Sequence, residues 1–396
     1  MSSALSPLAG QPDAKLADAE LERPAFGDIV GNLPDPVLVI AAHDAENLSD
    51  RWVIYANPAA RELLRIQGES ATLVSAIRHP RVLEAVDESL FGAISGEAAY
   101  ETGGAQDRFW RVRTRPLAPA RDGARLALMV LRDETDSRRN ERMRADFLAN
   151  ASHELRTPLA SLTGFVETLR GHAKDDPVAR ERFLGVMAAQ AGRMARLIDD
   201  LMSLSRIELN EHIAPEGRVD VVLAVLDVID ALTPLAAERG VKLCTKLAAR
   251  GAAMIVGDRD QMLQVAQNLI DNAVKYSPNG GTVEIEVADG LTADEAITPT
   301  RQGGARLSLL SPDLVGGERF VLLRVADAGP GIAREYLPRL SERFYRVEGQ
   351  KSGERLGTGL GLAIVKHITN RHRGGLAIES VEGQGTTFTA YLPKLS

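Results

Sequence analysis

Apolar positions recur along this chain with two different periods, and the changes of period divide it. From residue 28 to 135 the apolar runs are short. Val37-Leu38-Val39-Ile40 and Trp52-Val53-Ile54-Tyr55 read as buried strands, and Asn57-Pro58 after the second opens a helix over Ala59 to Leu64. Arg108 to Arg115 alternates, with Phe109, Trp110 and Val112 amid arginines, and Arg125 to Leu131 closes the set. The pattern predicts a small α+β domain that ends in Arg132-Asp133-Glu134-Thr135. Residues 1–27 are rich in Ala, Ser and Pro without a sustained period. They read as a disordered tail, with an Ala-rich helical arm over Ala14 to Glu22 as the other reading.

From 136 to 210 the period lengthens. Leu148, Ala151, Leu155, Leu159, Leu162, Val166 and Leu169 recur at three and four residues, a coiled-coil-like seam. Gly171 ends this helix, and Asp175-Asp176-Pro177 starts a second with an acidic cap and an early proline. The second carries Phe183, Met187, Met194, Leu197, Ile198, Leu201 and Leu204. A two-helix hairpin buries only part of each stripe, so two hairpins are expected to pair into an antiparallel four-helix bundle, making a homodimer. Residues 211–396 alternate helices and strands with glycine clusters, the pattern of an α/β sandwich. The expected fold class is therefore multidomain α+β. One stretch, Asp289 to Glu318, puts about 30 residues between two strands where a short turn is expected. Ala305 to Leu310 is a candidate extra strand there, which leaves that sheet edge undecided.

Composition narrows the functions. The 396 residues leave room for two or three domains. A hydrophobic share of 44% with 26% charged residues is that of a soluble globular protein. The formal net charge of −7 speaks against nucleic acid as the main partner. The single cysteine, Cys244, excludes an intrachain disulfide and a multi-cysteine zinc site. The most apolar long stretch, Val219 to Ala237, is interrupted by Asp220, Asp227 and Asp230 and repeats at helical spacing, so it reads as an amphipathic surface helix. The start lacks the basic-then-apolar plan of a signal peptide. The expectation is a cytoplasmic chain with no transmembrane segment, membrane-associated if an anchor precedes its first residue.

On the first long helix, His153 lies roughly 155° from the mean of the apolar stripe and faces solvent. Thr157 is one turn on, and Pro158 sits mid-helix, where it deletes a backbone hydrogen bond beside His153. Spacing alone does not separate a kink that serves the imidazole from a tolerated kink beside a surface histidine.

The run Phe147-Leu148-Ala149-Asn150-Ala151-Ser152-His153-Glu154-Leu155-Arg156-Thr157-Pro158-Leu159 resembles the H box of the sensor histidine kinases of two-component systems, nearly position for position. The resemblance implies that His153 accepts a phosphoryl group from ATP, as a neutral imidazole is nucleophilic near pH 7. It implies that Glu154 orients and deprotonates the ring, and that Thr157 places water when the kinase dephosphorylates its partner. Asn268-Leu269-Ile270-Asp271-Asn272-Ala273-Val274-Lys275-Tyr276 resembles the N box. Carried over, Asn272 coordinates Mg2+, Asn268 and Lys275 hold phosphates, and Tyr276 stacks on adenine. Taken alone, those polar residues on one helix face fit a solvated surface as well.

Asp327-Ala328-Gly329-Pro330-Gly331 follows a strand over Phe320 to Val325 and looks like the first glycine box, with Asp327 reading the adenine amino group. Glu342-Arg343-Phe344-Tyr345-Arg346 resembles the F box of a lid, from which Arg346 reaches the phosphates; ordinary packing of Phe344 accounts for it equally. Gly357-Thr358-Gly359-Leu360-Gly361 opens a helix and matches the second glycine box, whose backbone N–H groups suit anions. Gly383-Gln384-Gly385-Thr386 matches the last.

These boxes stand in the family order. They imply an ATP- and Mg2+-dependent protein-histidine kinase over 136–210 and 211–396, a homodimer whose other partner is a separate response regulator. Residues 28–135 resemble a PAS sensor domain, and the whole is most similar to phosphate-regulon-type sensor kinases with a PAS input. His43 raises the thought of haem there, and a lone histidine near a loop is more often structural or solvated. The competing expectations are an ATP-hydrolysing enzyme of the related chaperone and mismatch-repair families, which lack an H box, and a scaffold that binds nucleotide without catalysis.

Overall fold

The computed structural model describes residues 26–395 apart from 69–70, 103–107, 212, 302, 313–315 and 348–356. The tail expected over 1–27 falls outside these residues except at its end. The chain divides into two compact units between Asp146 and Phe147.

In the first unit a short helix, α1 (Phe26–Gly31), precedes β1 (Val37–Ala42), β2 (Trp52–Ala56), α2 (Pro58–Leu64), β3 (Ala71–Thr72), α3 (Leu73–Ala76), α4 (Pro80–Phe91), β4 (Gly96–Thr102), β5 (Arg108–Leu117) and β6 (Arg125–Asp133). The strands form one antiparallel sheet in the order β3-β2-β1-β6-β5-β4. Helix α4 buries Val82, Ala85, Val86 and Leu90, a stripe at three- and four-residue spacing. That stripe joins a core with Leu38, Ile40, Val112, Met129 and Leu131 from the sheet. His43 stands on the surface, 3.7 Å from Asp122.

Asn57 ties this unit together. It is 1% exposed. Its Oδ1 accepts from the N–H of Ala60, which caps α2, and from the N–H of Val37 at the head of β1, at 2.9 and 3.0 Å. Its Nδ2 donates to the carbonyls of Val30, Leu33 and Asp35. The Asp133-Glu134-Thr135 turn is equally specific: Asp133 Oδ1 accepts from Thr135 N at 2.9 Å, and Thr135 Oγ1 accepts from Phe109 N at 3.0 Å.

From that turn α5 (Thr135–Arg170) runs through Pro158 without a break in its helical assignment, and α6 (Pro177–Leu209) follows. Asp176 caps α6 by accepting from Val178 N and Ala179 N, both at 3.0 Å. The hairpin is closed by Phe165 against Phe183, with ring centroids 5.5 Å apart, and by Glu154 against Arg193, 3.1 Å apart. Leu148, Leu159, Val166, Leu184, Ile198 and Met202 stay exposed on it. Leu197, Leu204 and Ile207 do not. They enter the core of the domain that follows.

That domain contains β7 (Arg218–Asp220), α7 (Val221–Glu238), β8 (Lys242–Leu247), β9 (Met254–Val256), α8 (Arg259–Tyr276), β10 (Thr282–Leu291), α9 (Ala293–Ala296), β11 (Ala305–Leu310), β12 (Phe320–Ala326), α10 (Gly361–Arg371), β13 (Gly375–Val381) and β14 (Gly385–Pro393). Its main sheet has the order β11-β13-β14-β12-β10-β8, with β8 parallel to β10 and the other pairs antiparallel. Helices α7, α8 and α10 bury Val228, Leu269, Ile270, Ile364 and Ile368 in one core with Ile285, Val325 and Leu376 of the sheet.

The long stretch 289–318 is built into this sheet. Ala305–Leu310 is indeed a strand, added beside β13. Helix α9 closes with a capping box at Thr292 and Glu295, and its Ala296 packs on Phe320, Leu322 and Tyr391 at the opposite face. Among the described residues no helix is long and apolar enough to cross a membrane.

Replacing Asn57 by Ala removes one cap and leaves several buried backbone groups without partners. The expected cost is about 2–3 kcal/mol to the first unit. Urea denaturation followed by Trp fluorescence measures it, Trp52 and Trp110 being the chain's two tryptophans and both lying in that unit.

Candidate active site

His153 is exposed on α5. Thr157 Oγ1 donates to the His153 carbonyl at 3.3 Å, the local bond a helical threonine makes one turn back. Glu154 turns toward α6, where its carboxylate meets Arg193.

Across the same unit, α8 presents the polar face read from the sequence. Asp258 caps it, accepting from Asp260 N at 3.0 Å and Gln261 N at 3.3 Å. Gln261 stands at the third helical position, where it could complete a capping box with Asp258, and only half of that box is made. The Asp258 N–H donates to His372 Nε2 instead, at 3.1 Å, and Gln261 Oε1 is buried without a partner. The imidazole of His372 competes successfully because α10 carries it against the start of α8.

Asn268, Asn272, Lys275 and Tyr276 are partly exposed along α8. The glycine backbones lie directly on them. A side-chain carbon added at Gly361 would stand 2.7 Å from Asn268 Oδ1, and one at Gly357 would stand 2.6 Å from Lys275 Nζ. One at Gly329 would meet the Tyr276 carbonyl and Asp327 Oδ1, each at 2.8 Å. Lys275 Nζ donates to Tyr276 Oη at 3.2 Å. The first and second glycine boxes thus both meet the N box.

Asp327 is buried at the end of β12, 7% exposed. Its Oδ1 accepts from Gly329 N at 2.8 Å and Thr386 N at 3.1 Å. Burial pushes its carboxyl pKa above the usual range, against the opposing pull of those two N–H groups. Thr386 therefore acts on this site through its backbone, while its hydroxyl pairs with Ser380 Oγ. Gly331 has a φ of +72° and rests against the Val381 carbonyl.

The F box packs against both sides. Phe344 has a φ of +64°, and its N–H donates to the Gly359 carbonyl at 2.9 Å. Its ring lies 5.8 Å from that of Phe147 on α5. Arg343 reaches Glu208 on α6 at 2.6 Å and covers the Phe147 ring. Arg346 is exposed just before the segment 348–356, which lies outside the described residues.

The residues that sequence reasoning passed over are those joining α6 to the cleft. Thr358 Oγ1 donates to Asp200 Oδ2 at 2.7 Å. Burial raises the Asp200 pKa, opposed by that bond. Asn370 donates to Glu211 at 2.6 Å, and Ser203 donates to Gln264 at 2.8 Å. Asp200 did leave a signal, being a charge on the same helical stripe as Leu197 and Leu204.

Comparison with known proteins matches residues 143–210 to the His Kinase A (phospho-acceptor) domain and 257–396 to the histidine kinase-, DNA gyrase B- and HSP90-like ATPase. The phosphate regulon sensor protein PhoR of Pseudomonas aeruginosa is 38% identical over 269 residues, which are 68% of this chain and 54% of that protein. SenX3 of Mycolicibacterium smegmatis, a sensor-like histidine kinase, is 33% identical over 273 residues, 69% of this chain and 63% of its own.

The chain belongs with the sensor histidine kinases.

It spans between about half and two thirds of the length of these relatives. Among solved structures, histidine kinase ThkA in complex with response regulator protein TrrA is 17% identical, with a TM-score of 0.47, covering 93% of this chain and 98% of that one. The ATPase match places the cleft of this kinase in an ATP-binding domain.

At Gly359 φ is +74°, and an added side-chain carbon would come 2.8 Å from the Phe344 backbone. Gly359→Ala in this kinase should therefore part the F box from the second glycine box. ATP affinity should fall about tenfold or more, ~1.4 kcal/mol, by isothermal titration.

Proposed function

We propose that this kinase phosphorylates His153 from ATP and passes the phosphoryl group to an aspartate of a separate response regulator, as a homodimer. The observation that carries the reading is a solvent-facing histidine in a complete H box, on a hairpin packed in one compact unit with the ATP-binding cleft. ATP seats with its adenine amine on Asp327 and its ring on Tyr276. Its phosphates lie along Asn268, Lys275, Arg346 and the N–H groups of the Gly357-Thr358-Gly359-Leu360-Gly361 turn. The donors at Asn272 fit magnesium: one partly exposed amide oxygen suffices for an ion that keeps several waters and takes phosphate oxygens as its other ligands. Magnesium bound there neutralises phosphate charge.

A ring nitrogen of neutral His153 attacks the γ-phosphorus. An N–P bond forms, the bridging P–O bond breaks, and ADP leaves. Glu154 takes the proton from the other ring nitrogen. Positioning and charge neutralisation supply most of the rate. The aspartate of the regulator then displaces the histidine, and Thr157 places water for the reverse duty of dephosphorylating the regulator.

The exposed apolar residues of the hairpin support the four-helix dimer, because a second hairpin would cover them. The strand order of the first unit and its Asp133-Glu134-Thr135 turn support a PAS-like sensor over 28–135. The similarity to PhoR supports phosphate-regulon-type signalling.

With γ-labelled ATP, the full chain should acquire an acid-labile, base-stable label. His153→Ala should abolish the label while nucleotide binding persists. A label that survives in that variant refutes His153 as the acceptor, and ATP hydrolysis with no phosphohistidine at all points to the hydrolase reading. Thr157→Ala should keep autophosphorylation and slow dephosphorylation of the regulator.

The pH dependence follows from Asp327. Its pKa is raised, and the ionised carboxylate accepts from an amine more strongly than the protonated acid does. ATP affinity should be full above that raised pKa and fall as pH drops through it, earlier than an ordinary aspartate with a pKa of about 3.9 would allow. Affinity titrations from neutral pH down to about 5 measure this, and Asp327→Asn should remove the pH step.

A further inference from the structure

The carbonyl of Asp327 lies one residue beyond the ladder between β12 and β14, whose last pair is Ala326 and Thr387. Its N–H is satisfied by the Thr386 carbonyl at 2.8 Å. Its own carbonyl oxygen accepts from Arg301 Nη2 at 2.6 Å. Arg301 comes from the long stretch between β10 and β12, remote in sequence from every box that carries the kinase resemblance.

The guanidinium makes two more bonds. Nη1 donates to the Gln384 carbonyl at 2.6 Å, and Nε donates to Thr387 Oγ1 at 3.1 Å. One planar group thus joins the end of β12, the turn before β14 and β14 itself. Those are the segments that supply Asp327 and the Thr386 N–H. A side-chain carbon on Gly385 would fall 2.0 Å from the Asp327 oxygen, so the backbones already touch and leave the guanidinium little freedom.

The base of Arg301 is itself anchored. Glu379 of β13 is 7% exposed. It accepts from Thr300 N and Oγ1, both at 2.9 Å, and from Arg301 N at 3.0 Å. A buried carboxylate that collects three donors from one loop fixes that loop, and the fixed loop aims a fork of donors at two carbonyls and a hydroxyl.

We infer that Arg301 is a positioning residue for nucleobase recognition: it holds the Asp327 backbone so that the carboxylate meets the adenine amine. The inference rests on the reading of Asp327 as the adenine acceptor. Arg301 touches no nucleotide. It acts through Asp327, and its loss should cost base selectivity in particular, where a general weakening of the fold would cost all nucleotides alike.

The test compares ATP with inosine triphosphate, which carries an oxygen where adenine has its amine, on the full chain. The wild type should prefer ATP. Arg301→Ala should weaken ATP about tenfold and leave inosine triphosphate within about twofold, so that the preference collapses. The loss should appear in the KM for ATP in the His153 labelling assay more than in the maximal rate. Arg301→Lys, which keeps the charge and loses the fork, should recover part of the preference. Glu379→Gln should lower the preference with the Arg301 side chain still present, which guards against misfolding of a single variant. An equal loss for both nucleotides, or an unchanged preference in Arg301→Ala, overturns the inference. A wild type that does not distinguish the two, or an Asp327→Asn variant that keeps the preference, overturns the reading of Asp327 and the inference with it.

Discussion

Burying a carboxylate at the end of a central strand is costly, and the nucleotide cleft is arranged around meeting that cost at Asp327. Two backbone N–H groups bind one of its oxygens. Those donors come from Gly329 and Thr386, so the first and last glycine boxes must both approach the strand end for the acid to be tolerated there. Once they do, the remaining boxes have little choice of place. The Gly329 backbone rests on Tyr276, at the C-terminal end of α8, and the rest of the α8 polar face lies under the turn from Gly357 to Gly361. Both of those bonds go to one carboxylate oxygen, so the other takes neither of them. The rise in its pKa is the electrostatic sign of the same arrangement.

The second constraint is the packing of α6. Leu204 and Ile207 belong to the core of the ATP-binding domain, and Asp200, Glu208 and Glu211 meet Thr358, Arg343 and Asn370 around them. Polar bonds ring an apolar centre. Such an interface depends on acids whose partners sit in the second glycine box, the F box and α10. Arg343 and Phe344 couple it to α5 as well, through Phe147. The phosphoacceptor helix and the glycine box are thereby within one mechanical unit.

Much of this architecture was legible in the residues. Short apolar runs gave the strands, the three-four spacing gave the long helices, and Ala305–Leu310, a candidate extra strand that left the sheet edge undecided, does pair beside β13. The boxes were legible because each is a contiguous run whose chemistry is local to a turn or a helix face. Less visible were pairings that depend on distant segments. His372 takes the Asp258 N–H that a capping box would give to Gln261, and nothing near Gln261 announces it. Arg301 lies in a stretch with no period, so its reach to Asp327 had no local trace.

The sequence by itself determined the two long helices, several of the strands and the solvent-facing side of His153, which follow from side-chain period. The acid, amides and glycines of the cleft were assigned by the resemblance of their contiguous boxes, because spacing alone fits a solvated face as well. Only the tertiary structure decided that Leu197 and Leu204 turn into the ATP-binding core, that Asp200 meets Thr358, and that the long stretch before β12 supplies a guanidinium to Asp327. Those are matters of which surfaces meet. Meeting depends on the shape of the whole sheet and its helices, which no window of neighbouring residues encodes.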